Sequence, residues 1–200
     1  FPSASNTGPV SGSVLKKQTG DIIVTKAGTV LENLDIHGFV IVRAANVTIK
    51  NSIVRGGTPK GYAIGLITNY GNKGLVIEDT LVQPSSPSVE FDGIKGDNFT
   101  ARRVHVVGGV DNVKIHGDGA VTIVDSLLEK TNYFASDPYQ NGRSTHNDNI
   151  QVLSGTGIII RRNTVRDATG FAVLGGAEQG AVSLQIEGNY LDGGHCTLKL

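Results

Sequence analysis

The segment STHNDNIQVLSG, residues 144–155, places a histidine, an aspartate and two asparagines directly before an apolar alternation. Two earlier segments have a related pattern, DGIKG at 92–96 and DNVKIHG at 111–117. Aligned on their apolar positions, the three segments define two polar columns: Asp92, Asp111 and Asp148 in the first, and Lys95, Lys114 and Gln151 in the second. Carboxylates act as general acids, general bases and cation ligands, and a lysine can neutralise an anion. The columns therefore predict a polar site, provided that the fold stacks the three segments.

Eliminative cleavage of a uronic-acid polymer requires a cation to neutralise the substrate carboxylate, a base to remove the neighbouring proton and an acid to protonate the leaving oxygen. We predict Lys114 as the cation, together with Lys95. His146 is predicted as the base, with Asp148 orienting it or binding calcium. The acid is predicted to be Tyr133, Tyr139 or His116. The residues predicted to bind substrate are Asp92, Lys95, Asp111, His116, Tyr133, Tyr139, Arg143 and Gln151.

Other interpretations fit the same columns. Hydrolysis requires two carboxylates about 5–9.5 Å apart, and stacked aspartates would supply such a pair. Calcium is the cofactor that the columns suggest, because carboxylates and turn carbonyls suit an oxygen-ligated cation, although the sequence has no EF-hand motif. A structural role is also open for the aspartates, because Asp and Asn are preferred in turns.

A repeated pattern indicates the elements that carry these columns. Its copies are TVLENLDIHGF at 29–39, VTIKNSIVRGG at 47–57, LVIEDTLVQ at 75–83, FTARRVHVVGG at 99–109, VTIVDSLLEK at 121–130, IIIRRNTVRDA at 158–168 and LQIEGNYLDGG at 184–194. Their apolar positions alternate with period two, which is typical of strands. The residues predicted to point inward include Val47, Ile49, Val54, Val121, Ile123 and Leu128. A fixed pattern at variable spacing favours stacked coils with loop insertions. We therefore predict an all-β parallel β-helix, a solenoid of about seven coils, with an antiparallel sandwich as the alternative.

Polar corners and one long loop complete the predicted architecture. The corners hold Ser52, Thr80, Ser126, Asn163 and Asn189, which we expect to bond the turn backbone and one another up the stack. The longest insertion, residues 130–147, is predicted to overhang the strand face that carries the polar columns. Insertions at 55–62 and 83–90 are predicted to form the second wall. Since a β-helix otherwise offers only shallow faces, these loops predict where a groove lies.

The V-T-I-x-(N/D)-S coils and D-(G/N)-(I/V) strands resemble the right-handed parallel β-helix superfamily typified by pectate lyases. The likeness covers residues 29–200 and is greatest to secreted β-helix repeat proteins of actinobacteria and their phages. It implies a right-handed helix and a protein that is secreted or displayed on a cell or virion surface. Because the superfamily includes lyases, hydrolases, epimerases and non-catalytic adhesins, the reaction has to come from the site. We predict a polysaccharide lyase; the alternatives are a glycoside hydrolase and a non-catalytic glycan-binding or structural module.

The length and charge of the chain limit the number of domains and the kinds of partner that we expect. Two hundred residues predict one domain, residues 1–200. Lys and Arg balance Asp and Glu at 18 each, so we expect no nucleic-acid partner, and no apolar run approaches the ~20 residues of a membrane span. Cys196 is predicted in the core and the glycine-rich segment 175–183 at a corner. Because the sequence stops within a predicted strand, we expect a capping domain or a second copy to cover that end.

Overall fold

Short runs rich in Val, Ile and Thr, separated by glycines and polar corners, form short strands throughout the protein. The computed structural model describes residues 1–176, 180 and 182–200. Within this part of the chain there are 23 strands and one short 3-10 helix, Pro138–Gln140. The strands form three parallel sheets, which we call A, B and C.

Each sheet takes every third strand of the chain. Sheet A contains β1 (Lys16–Thr19), β4 (Leu34–His37), β7 (Ile53–Val54), β10 (Leu81–Val82), β13 (His105–Val107), β16 (Leu127–Glu129), β19 (Thr164–Ala168) and β22 (Tyr190–Gly193). Sheet B contains β2 (Ile22–Val24), β5 (Val40–Val42), β8 (Ile64–Asn69), β11 (Phe91–Gly96), β14 (Val113–Ile115), β17 (Ile150–Val152), β20 (Phe171–Gly175) and β23 (Cys196–Lys199). Sheet C contains β3 (Val30–Glu32), β6 (Thr48–Lys50), β9 (Leu75–Glu78), β12 (Phe99–Arg102), β15 (Val121–Val124), β18 (Gly155–Arg161) and β21 (Val182–Glu187).

Successive coils lie in register on one another. The chain passes from sheet A to sheet B to sheet C and returns to sheet A one coil further on. Ile77, Ala101 and Ile123, for example, form one column of sheet C. The described strands complete seven coils and add two strands of an eighth. The protein is therefore the right-handed parallel β-helix that the repeats predict, and the parallel pairing excludes the antiparallel sandwich.

The interior is filled by apolar residues from the inner faces of the three sheets. All six of the residues predicted to point inward are completely buried. Phe39 and Phe91 meet edge to face among them, with their ring centroids 5.4 Å apart. Because this core supports sheet B from the inside, the outward side chains of that sheet are held in fixed rows.

The corner between sheets C and A combines a left-handed residue with a buried polar one. Asn51, Asp79, Asp125 and Arg162 have φ angles between 45° and 53°. Each precedes a fully buried corner residue: Ser52, Thr80, Ser126 and Asn163 respectively. The N–H of Ser126 donates to Asn163 Oδ1 at 2.9 Å, and the N–H of Asn163 donates to Asn189 Oδ1 at 2.8 Å. The predicted bonding up the stack is confirmed, and it satisfies backbone groups that the turn would leave unpaired.

Two sequence-based expectations need comment. Cys196 was predicted in the core, and this is wrong: it is exposed, because it lies in β23, which has a neighbouring strand on one side only among the described residues. The segment 175–183, predicted as a corner, lies in part outside the described residues.

No helix in the described part of the chain has both the length and the apolar character that crossing a bilayer requires.

The corner ladder predicts a measurable loss of stability in Asn163→Ala. The variant leaves the N–H of Ser126 and the C=O of Ile123 buried without their side-chain partner. We expect the free energy of unfolding in urea to fall by about 2–4 kcal/mol. Ser183→Ala, on the exposed side of β21, is the control and should change it by less than about 0.5 kcal/mol. Equal losses in the two variants would contradict a stabilising role for the ladder.

Candidate functional site

The register of sheet B places the two predicted polar columns side by side. Lys95, Lys114 and Gln151 are direct neighbours on β11, β14 and β17, on the opposite face from the fully or almost fully buried Ile94, Val113 and Ile150. The aspartates stack beside them at the start of the same strands. The N–H of Asp111 donates to Asp92 Oδ1 at 3.3 Å, and the N–H of Asp148 donates to Asp111 Oδ1 at 2.9 Å. The alignment of the three segments is therefore confirmed.

The lysines are paired with aspartates of this column. Lys95 Nζ lies 3.1 Å from Asp92 Oδ2, while Lys114 Nζ lies 2.6 Å from Asp111 Oδ2 and 3.5 Å from Asp92 Oδ1. Burial alone would lower the pKa of Lys114, but the two carboxylates outweigh it and raise the pKa, so the ammonium stays charged. Lys114 is therefore not a ready base, and the positive charge of each lysine is already balanced within the protein.

Asp111 is a buried carboxyl group of this cluster whose pKa is raised. Only 1% of the residue is exposed. Burial raises the pKa of its carboxyl group; Lys114 opposes the shift and Asp92 reinforces it, and the net direction is upward. A carboxyl group whose pKa is raised holds its proton to higher pH, which is the property that a general acid requires.

The loop at 130–147 is fixed at its base and folded over sheet B. Its single 3-10 helix begins after Asp137, whose Oδ1 accepts the N–H of Tyr139 at 2.8 Å. Thr145 and Phe134 bond across the base, and Asn147 donates to the carbonyl of Asn132. The predicted overhang is confirmed, because these contacts hold Tyr139 and His146 over the polar columns.

The second predicted wall meets the tip of this loop. The hydroxyl of Tyr139 donates to Glu90 Oε1 at 2.9 Å. Glu90 Oε2 accepts the backbone N–H groups of Lys60 at 2.6 Å and Gly61 at 3.0 Å. One carboxylate thus joins the insertions at 55–62 and 83–90 to the long loop. Sequence reasoning missed this role, because Glu90 lies outside the repeated pattern.

A cavity of about 370 Å³ lies beneath this junction, and we call it the central cavity. Six of the predicted site residues line it: Asp92, Asp111, Lys114, Tyr139, His146 and Gln151. Asp137 and Ala63 line it as well and were missed by the sequence reasoning. Asp137 caps a short helix inside the loop, a local feature that the coil pattern does not encode.

The remaining predicted residues lie around the central cavity. Lys95 is half-buried beside it, held by Asp92 and by the carbonyl of Ala63 at 3.3 Å. His116 stacks on Tyr70 with centroids 4.8 Å apart, in a cleft of about 570 Å³ that also holds Lys73 and Asp97. Burial, followed by Lys95, lowers the pKa of His116. The other three residues, Tyr133, Asp148 and Arg143, lie toward the long loop and the later coils.

Tyr133 and Asp148 line a cleft of about 250 Å³ on the side of the later coils, which we call the upper cleft. His146 lines both this cleft and the central cavity, and His195, which the sequence reasoning missed, lies in the upper cleft as well. Asp148 Oδ1 accepts the N–H of Phe171 at 2.9 Å. Arg143 is exposed in the loop and lines none of the clefts described here.

A further cleft, of about 500 Å³, lies on the side of the earlier coils, and we call it the lower cleft. Tyr62 and Tyr70 line it, together with Arg43, and Ala63 lines both this cleft and the central cavity. Sheet B thus carries a continuous series of depressions parallel to the axis of the β-helix.

No three His, Cys, Asp or Glu side chains within the described ranges converge in a way that could hold a metal ion. Calcium therefore stays a prediction that no side-chain cluster supports. No family model, no curated protein and no solved structure matches this chain. The β-helix assignment consequently depends on the strand topology, and the chemistry on the residues of sheet B.

The contact between Tyr139 and Glu90 predicts a pH-sensitive loop. Burial would raise the pKa of Glu90, but the hydrogen bonds from Tyr139 and from backbone N–H groups lower it overall. The bond to ionised Glu90 is therefore fully present above the ordinary glutamate range near pH 4.3 and is lost as the pH falls through the lowered pKa. We expect Tyr139→Phe to speed hydrogen exchange of residues 134–145 severalfold at pH 7, relative to β17.

Tyr133→Phe, at the base of the same loop, is the matched control and should exchange like the parent protein. Acidifying the parent below the pKa of Glu90 should reproduce the faster loop exchange, whereas the same acidification should add little in Tyr139→Phe. Identical loop exchange in Tyr139→Phe and the parent at neutral pH would show that this bond does not hold the loop.

Proposed function

We propose that this protein binds an extended polysaccharide along sheet B and cleaves it in the central cavity. The observation that carries the proposal is the alignment of depressions on one sheet, each with an exposed tyrosine: Tyr62 and Tyr70 in the lower cleft, Tyr139 in the central cavity and Tyr133 in the upper cleft. A tyrosine ring offers an apolar face and a polar edge, which suits the alternating apolar and hydroxyl-bearing surfaces of a sugar.

Hydrolysis is the reaction that the geometry of the central cavity supports best. Asp92 and Asp111 contact the same Lys114 nitrogen, at 3.5 and 2.6 Å, so these oxygens lie within about 6 Å of each other. The acid and nucleophile of retaining glycosidases are carboxyl groups ~5–5.5 Å apart, which is compatible with that upper limit. We assign Asp111 as the general acid, because its pKa is raised, and Asp92 as the second carboxylate.

Lys114 is a positioning residue in this scheme. It holds both carboxylates in one orientation, and its positive charge stabilises the anion that forms when Asp111 gives up its proton to the leaving oxygen. The proton moves from the Asp111 carboxyl group to the glycosidic oxygen as the bond to the anomeric carbon breaks and the Asp92 carboxylate bonds to that carbon. Water, deprotonated by the Asp111 carboxylate, then displaces Asp92 and releases the sugar.

Elimination is the second candidate, and His146 favours it. This histidine is exposed at the junction of the central cavity and the upper cleft, where it could reach a proton on a bound sugar ring. The resemblance of the repeats to the pectate lyase-like superfamily supports a polysaccharide substrate, whichever reaction applies, and a secreted or surface-displayed protein. The lysines support elimination less well, because both are paired with aspartates.

Asp111→Asn tests the hydrolytic assignment. Asparagine keeps the Oδ1 acceptor for the N–H of Asp148 but cannot act as the acid, so we expect activity to fall by at least ~10²-fold at a temperature where the variant is fully folded. The melting temperature also falls, because Lys114 loses an ion-pair partner. Asp21→Asn is the matched control, because Asp21 Oδ1 likewise accepts the N–H of a residue in the next coil, Phe39, away from the cavity. It should retain full activity.

The assay uses a panel of neutral and uronic-acid polysaccharides and follows both new reducing ends and absorbance near 235 nm from an unsaturated product. Reducing ends without absorbance support hydrolysis. If the absorbance is lost in His146→Ala and kept in Asp111→Asn, the reaction is elimination and not hydrolysis. Binding without either product would leave the protein as a glycan-binding module, and neither binding nor cleavage of any polymer would contradict the proposal.

A further inference from the structure

The arginines divide into two groups by their partners. The protein has eight arginines, and six of them form ion pairs with carboxylates: Arg55, Arg102, Arg103, Arg161, Arg162 and Arg166. Arg43 and Arg143 form no ion pair with any residue that the structure describes. Of these two, only Arg43 lines a cleft on sheet B, the lower cleft.

The lower cleft has no carboxylate among its lining residues. Arg43 is the one charged residue there; the others are aliphatic side chains, two tyrosines, Thr68 and Asn72. Asn72 Nδ2 is turned to the carbonyl of Val42 at 3.0 Å, and Thr68 Oγ1 to the carbonyl of Gly65 at 3.1 Å. These two polar neighbours are thus bonded to the backbone, while Arg43 is exposed and has no carboxylate partner among the described residues.

The central cavity has the opposite balance. Its lining holds Asp92, Asp111 and Asp137, against Lys114 and the histidine His146. In the central cavity an anionic group would lie close to Asp92 and Asp137, whereas in the lower cleft the only charge it would meet is the positive charge of Arg43. The two depressions share Ala63, so one chain molecule can occupy both.

We propose that the lower cleft is a binding subsite for a negatively charged sugar unit, whose carboxylate pairs with Arg43 while its ring lies between Tyr62 and Tyr70. The inference depends on the proposed function and names its substrate class, an acidic polysaccharide. Arg43 directly follows β5, and β5, β8, β11 and β14 are successive neighbours in sheet B. Arg43 therefore lies two coil spacings, ~10 Å, from the coil of Asp92 and three, ~14 Å, from the coil of Asp111. Arginine suits this role, because its planar group binds a carboxylate through two parallel hydrogen bonds.

Binding is measured by calorimetry in the Asp111→Asn background, which prevents turnover. The probes are oligosaccharides of galacturonate, of alginate and of hyaluronan, each beside its carboxyl-reduced, neutral form. We expect Arg43→Gln to weaken binding of the acidic oligosaccharide at least tenfold and to leave the neutral form unchanged. Tyr62→Ala should weaken both forms, because it removes the ring contact and not the charge. Arg162→Gln, which removes the same charge at the corner between sheets C and A, should change neither.

Three outcomes would overturn the inference. Equal losses for Arg43→Gln and Arg162→Gln would show a general effect of net charge. Equal affinity of the parent protein for acidic and neutral forms would remove the anionic subsite while leaving glycan cleavage intact. Cleavage of neutral polysaccharides alone would likewise remove the anionic subsite and leave glycan cleavage intact. Failure of every oligosaccharide and polymer to bind would instead reject the proposed function, and the subsite with it.

Discussion

Apart from the strands at its two ends, every described strand of this β-helix obtains its backbone partners from the coils before and after it. The hydrogen bonds that stabilise the sheets are therefore the same bonds that set the register, and a one-residue slip would turn each apolar column outward. Insertions leave that register unchanged. Asp111 and Asp148 are separated by 37 residues and a complete loop, yet the N–H of one still meets the side chain of the other at 2.9 Å. The fold can accordingly vary its loops without moving its columns.

The aspartate column links this stability to the candidate site. One oxygen of Asp111 accepts the backbone N–H of the next coil, and its other oxygen holds Lys114. The same side chain thus serves the stack and the cavity. A buried carboxylate is costly unless it is paired and hydrogen-bonded. Here Lys114 supplies the ion pair from the same coil, and the N–H of Asp148 supplies the hydrogen bond from the next one. The burial that threatens the fold is also what raises the pKa of Asp111.

The parts of the structure that repeat could be predicted from the sequence, and those that occur once could not. The columns of sheet B and the corner ladder at Ser126 and Asn163 follow from aligned letters, because equal positions stack. The contact of Tyr139 with Glu90 spans 49 residues between two insertions and has no counterpart in another coil. The two ion pairs of Lys114 could not be assigned from spacing alone, because ion pairing depends on side-chain direction as well.

The distribution of charge along sheet B gives a reason for separating binding from cleavage. A carboxyl group can keep its proton near neutral pH only where other carboxylates and burial outweigh the nearest cation. A site built in this way is a poor place for the charge of an anionic substrate, since repulsion would add to the cost of burial. In the proposed scheme Arg43 avoids this conflict, because it lies in a cleft without carboxylates, two coils from Asp92 and three from Asp111. A solenoid can separate a binding subsite from a cleavage site readily, because the two sites can lie on different coils and the columns fix the distance between them.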